Sequence, residues 1–118
     1  MSFAKLLGPA VLLAVGVVCA QTPVDARLAG YRSEIDGFDR RIVELLNQRA
    51  EVVRRVGLLK KEAGLPVAAP GREKQVIDRA VEAGKSGPLP PEAIRRIYET
   101  LLHEMRDWEA SENGEARR

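Results

Sequence analysis

The sequence predicts an all-α protein of three helices per chain, one of them very long, with a second copy as its packing partner. No segment alternates apolar and polar residues with period two, so nothing reads as a half-buried strand. Apolar residues from Leu28 to Ala63 instead recur at alternating gaps of three and four: Leu28, Tyr31, Ile35, Phe38, Ile42, Leu45, Val52, Val56, Leu59 and Ala63. That series is a heptad seam, which packs along its whole length against other helices. A helix of about forty residues is a rod of about 60 Å, longer than the rest of so small a chain covers. A homodimer answers that mismatch.

The first helix starts at Thr22-Pro23-Val24-Asp25, with Thr as N-cap, Pro at the first helical position and an acid in the first turn. It is expected to end at Ala63, before Gly64 and Pro66. Gly30, Gly37 and Gly57 each weaken it by roughly 1 kcal/mol relative to Ala, so packing has to sustain it. Leu65 to Pro70 reads as a loop. A second helix is expected over Gly71–Ala83, with Val76, Ile77, Ala80 and Val81 inward and Gly84 as C-cap. Pro90-Pro91-Glu92 opens a third, carrying Ile94, Ile97, Tyr98, Leu101, Leu102, Met105 and Trp108 as an apolar stripe that Glu109 continues. Ser111 to Arg118 reads as a polar, frayed tail.

The leading twenty residues have a different character. Lys5 precedes an apolar run from Leu6 to Val18, and Val18-Cys19-Ala20 suits signal-peptidase cleavage before Gln21. The run is shorter than the roughly 20 apolar residues a membrane span needs, which disfavours a retained anchor. The expected organisation is a signal peptide over 1–20, a helical domain over 21–110 and a polar tail over 111–118, exported to the periplasm or secreted. Cleavage leaves no membrane attachment. It also removes Lys5 and the one cysteine, leaving 18 basic and 17 acidic residues, a formal charge of +1. That excludes a disulfide framework, and a near-neutral chain argues against nucleic acid as a partner.

One seam position is not apolar. Between Leu45 and Val52 it is held by Arg49, and a guanidinium in a packing stripe needs an anionic partner. Lys60 lies eleven residues on, within roughly 20° of the same face and about 16 Å along the axis, so the two cations can close on a small anion. Arg32 flanks the seam seventeen residues before Arg49, about 25 Å away; it joins them only across an antiparallel pair of helices. Each has a plainer reading. Glu109 or Glu73 could pair with Arg49, Lys60 beside Lys61 could be surface, and Arg32 a solvated flank. Glu109 could mark where the third helix leaves the core. His103 lies off the stripe and reads as exposed. No His, Asp and Glu cluster has metal-ligand spacing, and there is neither a nucleophile–base pair nor a Gly-rich phosphate loop. Periodicity alone yields an anion-binding helical dimer.

Arg32-Ser33-Glu34-Ile35-Asp36, Leu45-Leu46-Asn47-Gln48-Arg49, Val56-Gly57-Leu58-Leu59-Lys60-Lys61, Pro66-Val67 and Arg72-Glu73, in that order and spacing, resemble the all-α (AroQ-type) chorismate mutases. The likeness runs from Leu28 to Glu109 and points to a short monofunctional member with an export signal. It implies an intertwined homodimeric helical bundle with two shared active sites. It also implies the Claisen rearrangement of chorismate, a small dianion, to prephenate, with no metal or organic cofactor. Such a protein holds the dianion in a compact chair and stabilises charge on the ether oxygen.

By resemblance the partner's Arg32 reaches one carboxylate and Arg49 holds a carboxylate within its own chain, through forked hydrogen bonds. Lys60 addresses the ether oxygen and a carboxylate, and Glu73 accepts from the ring hydroxyl with Arg72 beside it. Lys60, Glu109 and Arg49 are thus the catalytic set, and Arg32, Ala69, Arg72 and Glu73 complete the binding set. Three positions depart from the commonest pattern. Ala69 replaces an Asp, leaving only a backbone contact; Met105 stands where a Ser helps bind a carboxylate; and Glu109 replaces a Gln that donates to the ether oxygen. A Glu donates there only when protonated, so activity is expected to fall as pH rises, although nearby Lys60 favours the ionised form. Two alternatives stand beside the mutase. Isochorismate-pyruvate lyase shares the fold and matches Ala69-Pro70, but Glu73 favours the mutase. A non-catalytic exported helical binding module explains the heptads but not the cations.

Overall fold

Thr22 launches the first helix as a reciprocal cap. Its hydroxyl accepts from the Asp25 N–H (3.1 Å) and donates to the Asp25 carboxylate (2.7 Å), which also accepts from the Thr22 N–H (3.1 Å). The computed structural model describes residues 22–114 together with Gly8, Ala10 and Gly16. The leader expected over 1–20 otherwise lies outside the described residues, as does the end of the tail, 115–118. Three helices follow in order: α1 (Pro23–Ala63), α2 (Pro70–Gly84) and α3 (Pro91–Glu112), with no strand among the described residues. The fold is all-α. No described helix is long and apolar enough to cross a membrane.

Helix α1 stops as its sequence dictates. Gly64 takes a left-handed φ of 68°, its N–H donates to the Lys61 carbonyl, and the Leu65 N–H donates to the Lys60 carbonyl at 2.8 Å. Those two bonds occupy carbonyls that the helix end would otherwise leave open. Helix α2 begins one residue earlier than expected, with Pro70 in the first turn where its missing N–H costs nothing, and it also runs one residue further. Gly84 is therefore its last helical residue and not a left-handed cap, because Lys85 continues in right-handed geometry. What favours glycine there is packing: a Cβ at Gly84 would crowd Ile94 Cγ1 at 3.0 Å, so that side chain would have to shift by a few tenths of an ångström.

Residues up to Gly37 and residues from Phe38 onward form two units. In the first, Val24, Leu28, Tyr31 and Ile35 are all exposed. In the second, α2 and α3 pack on each other, and Val76, Ile77, Ala80 and Val81 are half-buried as their spacing predicts. Ile97 departs from expectation and is exposed. Among the described residues the buried apolar side chains are Val67 and Leu102, a small core for a chain of this size.

The part of α1 in this second unit shows a second stripe beside the heptad seam. Leu46, Arg49, Ala50, Val53 and Lys60 are half-buried and Gly57 is buried, spaced by three and four. The seam residues Phe38, Ile42, Leu45, Val52, Val56 and Leu59 stay exposed. Helix α1 thus meets its own chain on a face of mixed polarity and leaves its apolar face uncovered. Towards α3 the contacts are specific. The Arg54 guanidinium lies 5.4 Å from the Trp108 ring centroid, a cation–π contact worth about 0.5–1 kcal/mol where exposed. The Asn113 side-chain amide donates to the Gly57 carbonyl at 3.2 Å. The tail expected to fray from Ser111 is helical through Glu112 and anchored at Asn113 by that bond.

Candidate active site

The in-chain stripe of α1, the start of α2 and the inner face of α3 enclose a cavity of about 350 Å³. Its apolar wall includes Val53, Val56, Val76 and Leu102. Its charged lining is Arg49, Lys60, Arg72 and Arg106 against Glu73 and Glu109. Four cations facing two carboxylates leave the wall with a formal charge of +2.

Lys60 and Glu109 lie 49 residues apart and meet here. Lys60 Nζ donates to the Val67 carbonyl at 2.9 Å and to Glu109 Oε1 at 3.2 Å. Glu109 is only 6% exposed, and a carboxylate that deep needs such a partner. Gly57 makes the approach possible, because a Cβ there would stand 3.0 Å from Glu109 Cγ. Packing in this second unit, and not a turn, is what favours that glycine.

The remaining site residues sort by element. Arg49 lies on the cavity wall, and among the described residues no carboxylate comes within ion-pair distance of it. The expected in-chain partners are engaged elsewhere: Glu109 binds Lys60, and Glu73 binds Arg106 through Nη1 at 2.9 and 3.0 Å. Arg72 lines the cavity and donates to the neutral Gln75 side chain at 2.7 Å. Ala69 lines it too, and its carbonyl accepts the Glu73 N–H at 3.0 Å, opening α2. Met105 contributes an apolar surface where a hydroxyl was the alternative. Arg32 lies in the first unit and is exposed. Among the described residues no group of His, Cys, Asp and Glu is placed to hold a metal ion.

The sequence reading passed over Arg106. A signal was present: Arg106 follows Leu102 by four residues and precedes Glu109 by three, so all three share one face of α3. His103 is exposed as expected, yet its Nδ1 lies 3.2 Å from Arg106 Nη2 and its Nε2 3.4 Å from Asp107. Chemically, a wall of net charge +2 with two guanidinium groups that meet no carboxylate among the described residues suits a ligand bearing two anionic groups. The Lys60–Glu109 pair, half-buried at the lysine and buried at the carboxylate, adds polar groups to the cavity lining.

Residues 31–110 match the family described as Chorismate mutase type II. A bifunctional chorismate mutase/prephenate dehydratase of Aquifex aeolicus is 36% identical over 74 residues, which are 60% of this chain and 20% of that protein. The T-protein of Haemophilus influenzae is 38% identical over 90 residues, 73% of this chain and 22% of its own. The chain thus spans about a fifth of the length of these two relatives. Among solved structures, a chorismate mutase (Form II) from Thermus thermophilus superposes with a TM-score of 0.67 at 34% identity, covering 70% of this chain and 93% of that one.

Proposed function

Because this chain belongs to the type II chorismate mutase family, we propose that it catalyses the Claisen rearrangement of chorismate to prephenate. The observation that carries the reading is the charge arrangement of the cavity. Lys60 and Arg106 already hold the two carboxylates of the wall, which leaves Arg49 to meet a carboxylate of a dianion, with Arg72 as a further cation on the wall. The reaction is pericyclic, so the protein contributes geometry and a preset field. Arg49 fixes one carboxylate, the apolar wall limits water, and Lys60 with Glu109 faces the ether oxygen as the bond breaks. Glu73 accepts from the ring hydroxyl, and Ala69 adds a backbone contact.

We further propose an intertwined homodimer in which the partner's Arg32 completes each site. The uncovered seam supports it: Phe38, Ile42 and Leu45 are 53–60% exposed, and burying what remains open on each stabilises by roughly 1 kcal/mol or somewhat more. Export of a short monofunctional enzyme after cleavage of the leader over 1–20 is likewise a proposal, resting on the sequence pattern alone.

The test is loss of chorismate absorbance with the purified protein, products being separated. Prephenate supports the mutase. Absence of turnover on chorismate but release of pyruvate from isochorismate would move the assignment to the lyase, and inertness towards both would leave a binding module.

A further inference from the structure

A carboxylate on the wall of a cavity meant for a dianion needs explaining. Left alone, Glu73 would repel the ligand it is supposed to recognise, since like charges a few ångströms apart disfavour each other. Arg106 removes that conflict. Its Nη1 sits 2.9 Å from Glu73 Oε1 and 3.0 Å from Oε2, and the pair is only partly exposed, 36% and 28%. A single nitrogen takes one lone pair from each oxygen, so the carboxylate, with about four acceptor sites, keeps capacity for a second donor.

The guanidinium is itself held from the other side. Arg106 Nη2 donates to His103 Nδ1 at 3.2 Å, and His103 Nε2 faces the Asp107 carboxylate at 3.4 Å. A guanidinium can only donate, so Nδ1 is the acceptor here and the ring N–H belongs on Nε2, the nitrogen nearer Asp107. Asp107, His103, Arg106 and Glu73 thus form a chain of contacts running from the half-buried Asp107 and exposed His103 of α3 to the cavity wall on α2. Arg72, next to Glu73 in sequence, points its guanidinium at Gln75 instead and takes no part.

We infer that Arg106 is a specificity-determining positioning residue: it neutralises and orients Glu73 so that a cavity for dianions also reads a hydroxyl on the ligand. The inference rests on the functional reading above and goes beyond it. It differs from a plain α2–α3 staple, which would affect all ligands alike. It also differs from a cation that touches a substrate carboxylate, because such a cation would not discriminate by hydroxyl.

The test compares chorismate with its analogue lacking the ring hydroxyl, in wild type, Arg106→Leu, Arg106→Lys and Glu73→Gln, each checked for folding by thermal melt. Wild type is expected to prefer chorismate by at least about tenfold in kcat/KM, the scale of one hydrogen bond to a charged group. Arg106→Leu should bring that ratio down about fivefold or more, with the rise in KM larger than the fall in kcat. Glu73→Gln should lower the ratio as well, and Arg106→Lys should restore part of it. An unchanged ratio in a folded Arg106→Leu, or a wild-type ratio near one, overturns the inference. Should wild type bind both compounds without turnover, the mutase reading fails alone, and the ratio of calorimetric dissociation constants decides the role of Arg106 by the same criterion. If neither compound binds, both fall.

Discussion

Helix α1 carries two stripes that meet opposite conditions. The heptad seam from Leu28 to Leu45 is apolar at every position and 43–60% exposed. The stripe through Leu46, Arg49, Ala50, Val53, Gly57 and Lys60 mixes charge, glycine and small residues, yet it is the one partly or wholly covered by its own chain. Hydrophobic content alone would assign the roles the other way round. The difference teaches that apolar content does not decide what a chain covers with itself: the seam is left open, as the proposed dimer requires, while the poorer stripe brings α3 close and holds cations over a cavity. Gly57 allows close approach, and Arg49 and Lys60 carry charge; none of them is there for packing energy.

The largest way to break the second stripe is Arg49→Ala. It removes a cation that no carboxylate of the described chain needs, so circular dichroism and melting temperature should hold while kcat/KM falls about a hundredfold or more. A folded variant with near-normal turnover would count against the cavity as the active site. The seam is tested by Ile42→Glu, which places a charge on its exposed apolar row. That variant should sediment as a single chain where the wild type sediments as a pair, with activity lost in proportion. An unchanged sedimentation coefficient would mean that the seam is solvated.

A finer test of the covered stripe is Glu109→Gln. Glu109 lies against Gly57 and accepts from Lys60, and it can donate to an ether oxygen only when protonated. Wild-type activity should decline with rising pH, and the amide, which donates at every pH, should flatten the profile. Parallel profiles would remove Glu109 from the donor role. The smallest effect belongs to Thr22→Ala at the uncovered end. Hydrogen bonds from the Thr22 hydroxyl and then its backbone N–H hold the exposed Asp25 carboxyl below its ordinary 3.8. A depressed carboxyl stabilises the fold above the unfolded value and loses that contribution as pH falls through the folded one. The variant should therefore speed amide exchange in the first turn at neutral pH, with the difference from wild type fading below about pH 4.

Much of the cavity lining is legible in the sequence. Arg49 and Lys60 could be placed on one face because eleven residues make nearly three whole turns, and both line the cavity with Ala69, Arg72, Glu73 and Glu109. Arg106 was not found. Its face is readable from Leu102 and Glu109, but its partner Glu73 is 33 residues away on another helix. No local spacing encodes that distance. Gly84 reads as a cap for a related reason: a glycine after a helical run looks like a terminator, and only the right-handed geometry that continues through Lys85 and the approach of Ile94 show otherwise.

The sequence by itself determined the all-α class, the span of α1 between the Thr22 cap and Gly64, and the order of the three helices. These follow from interactions within a few residues, where propensity, capping and period act directly. Tertiary structure alone decided which face of α1 is covered, that Glu109 buries itself against Gly57, and that Glu73 pairs with Arg106. Such choices turn on contacts across dozens of residues, where a missing Cβ or the reach of one guanidinium selects among faces that the local pattern leaves equivalent.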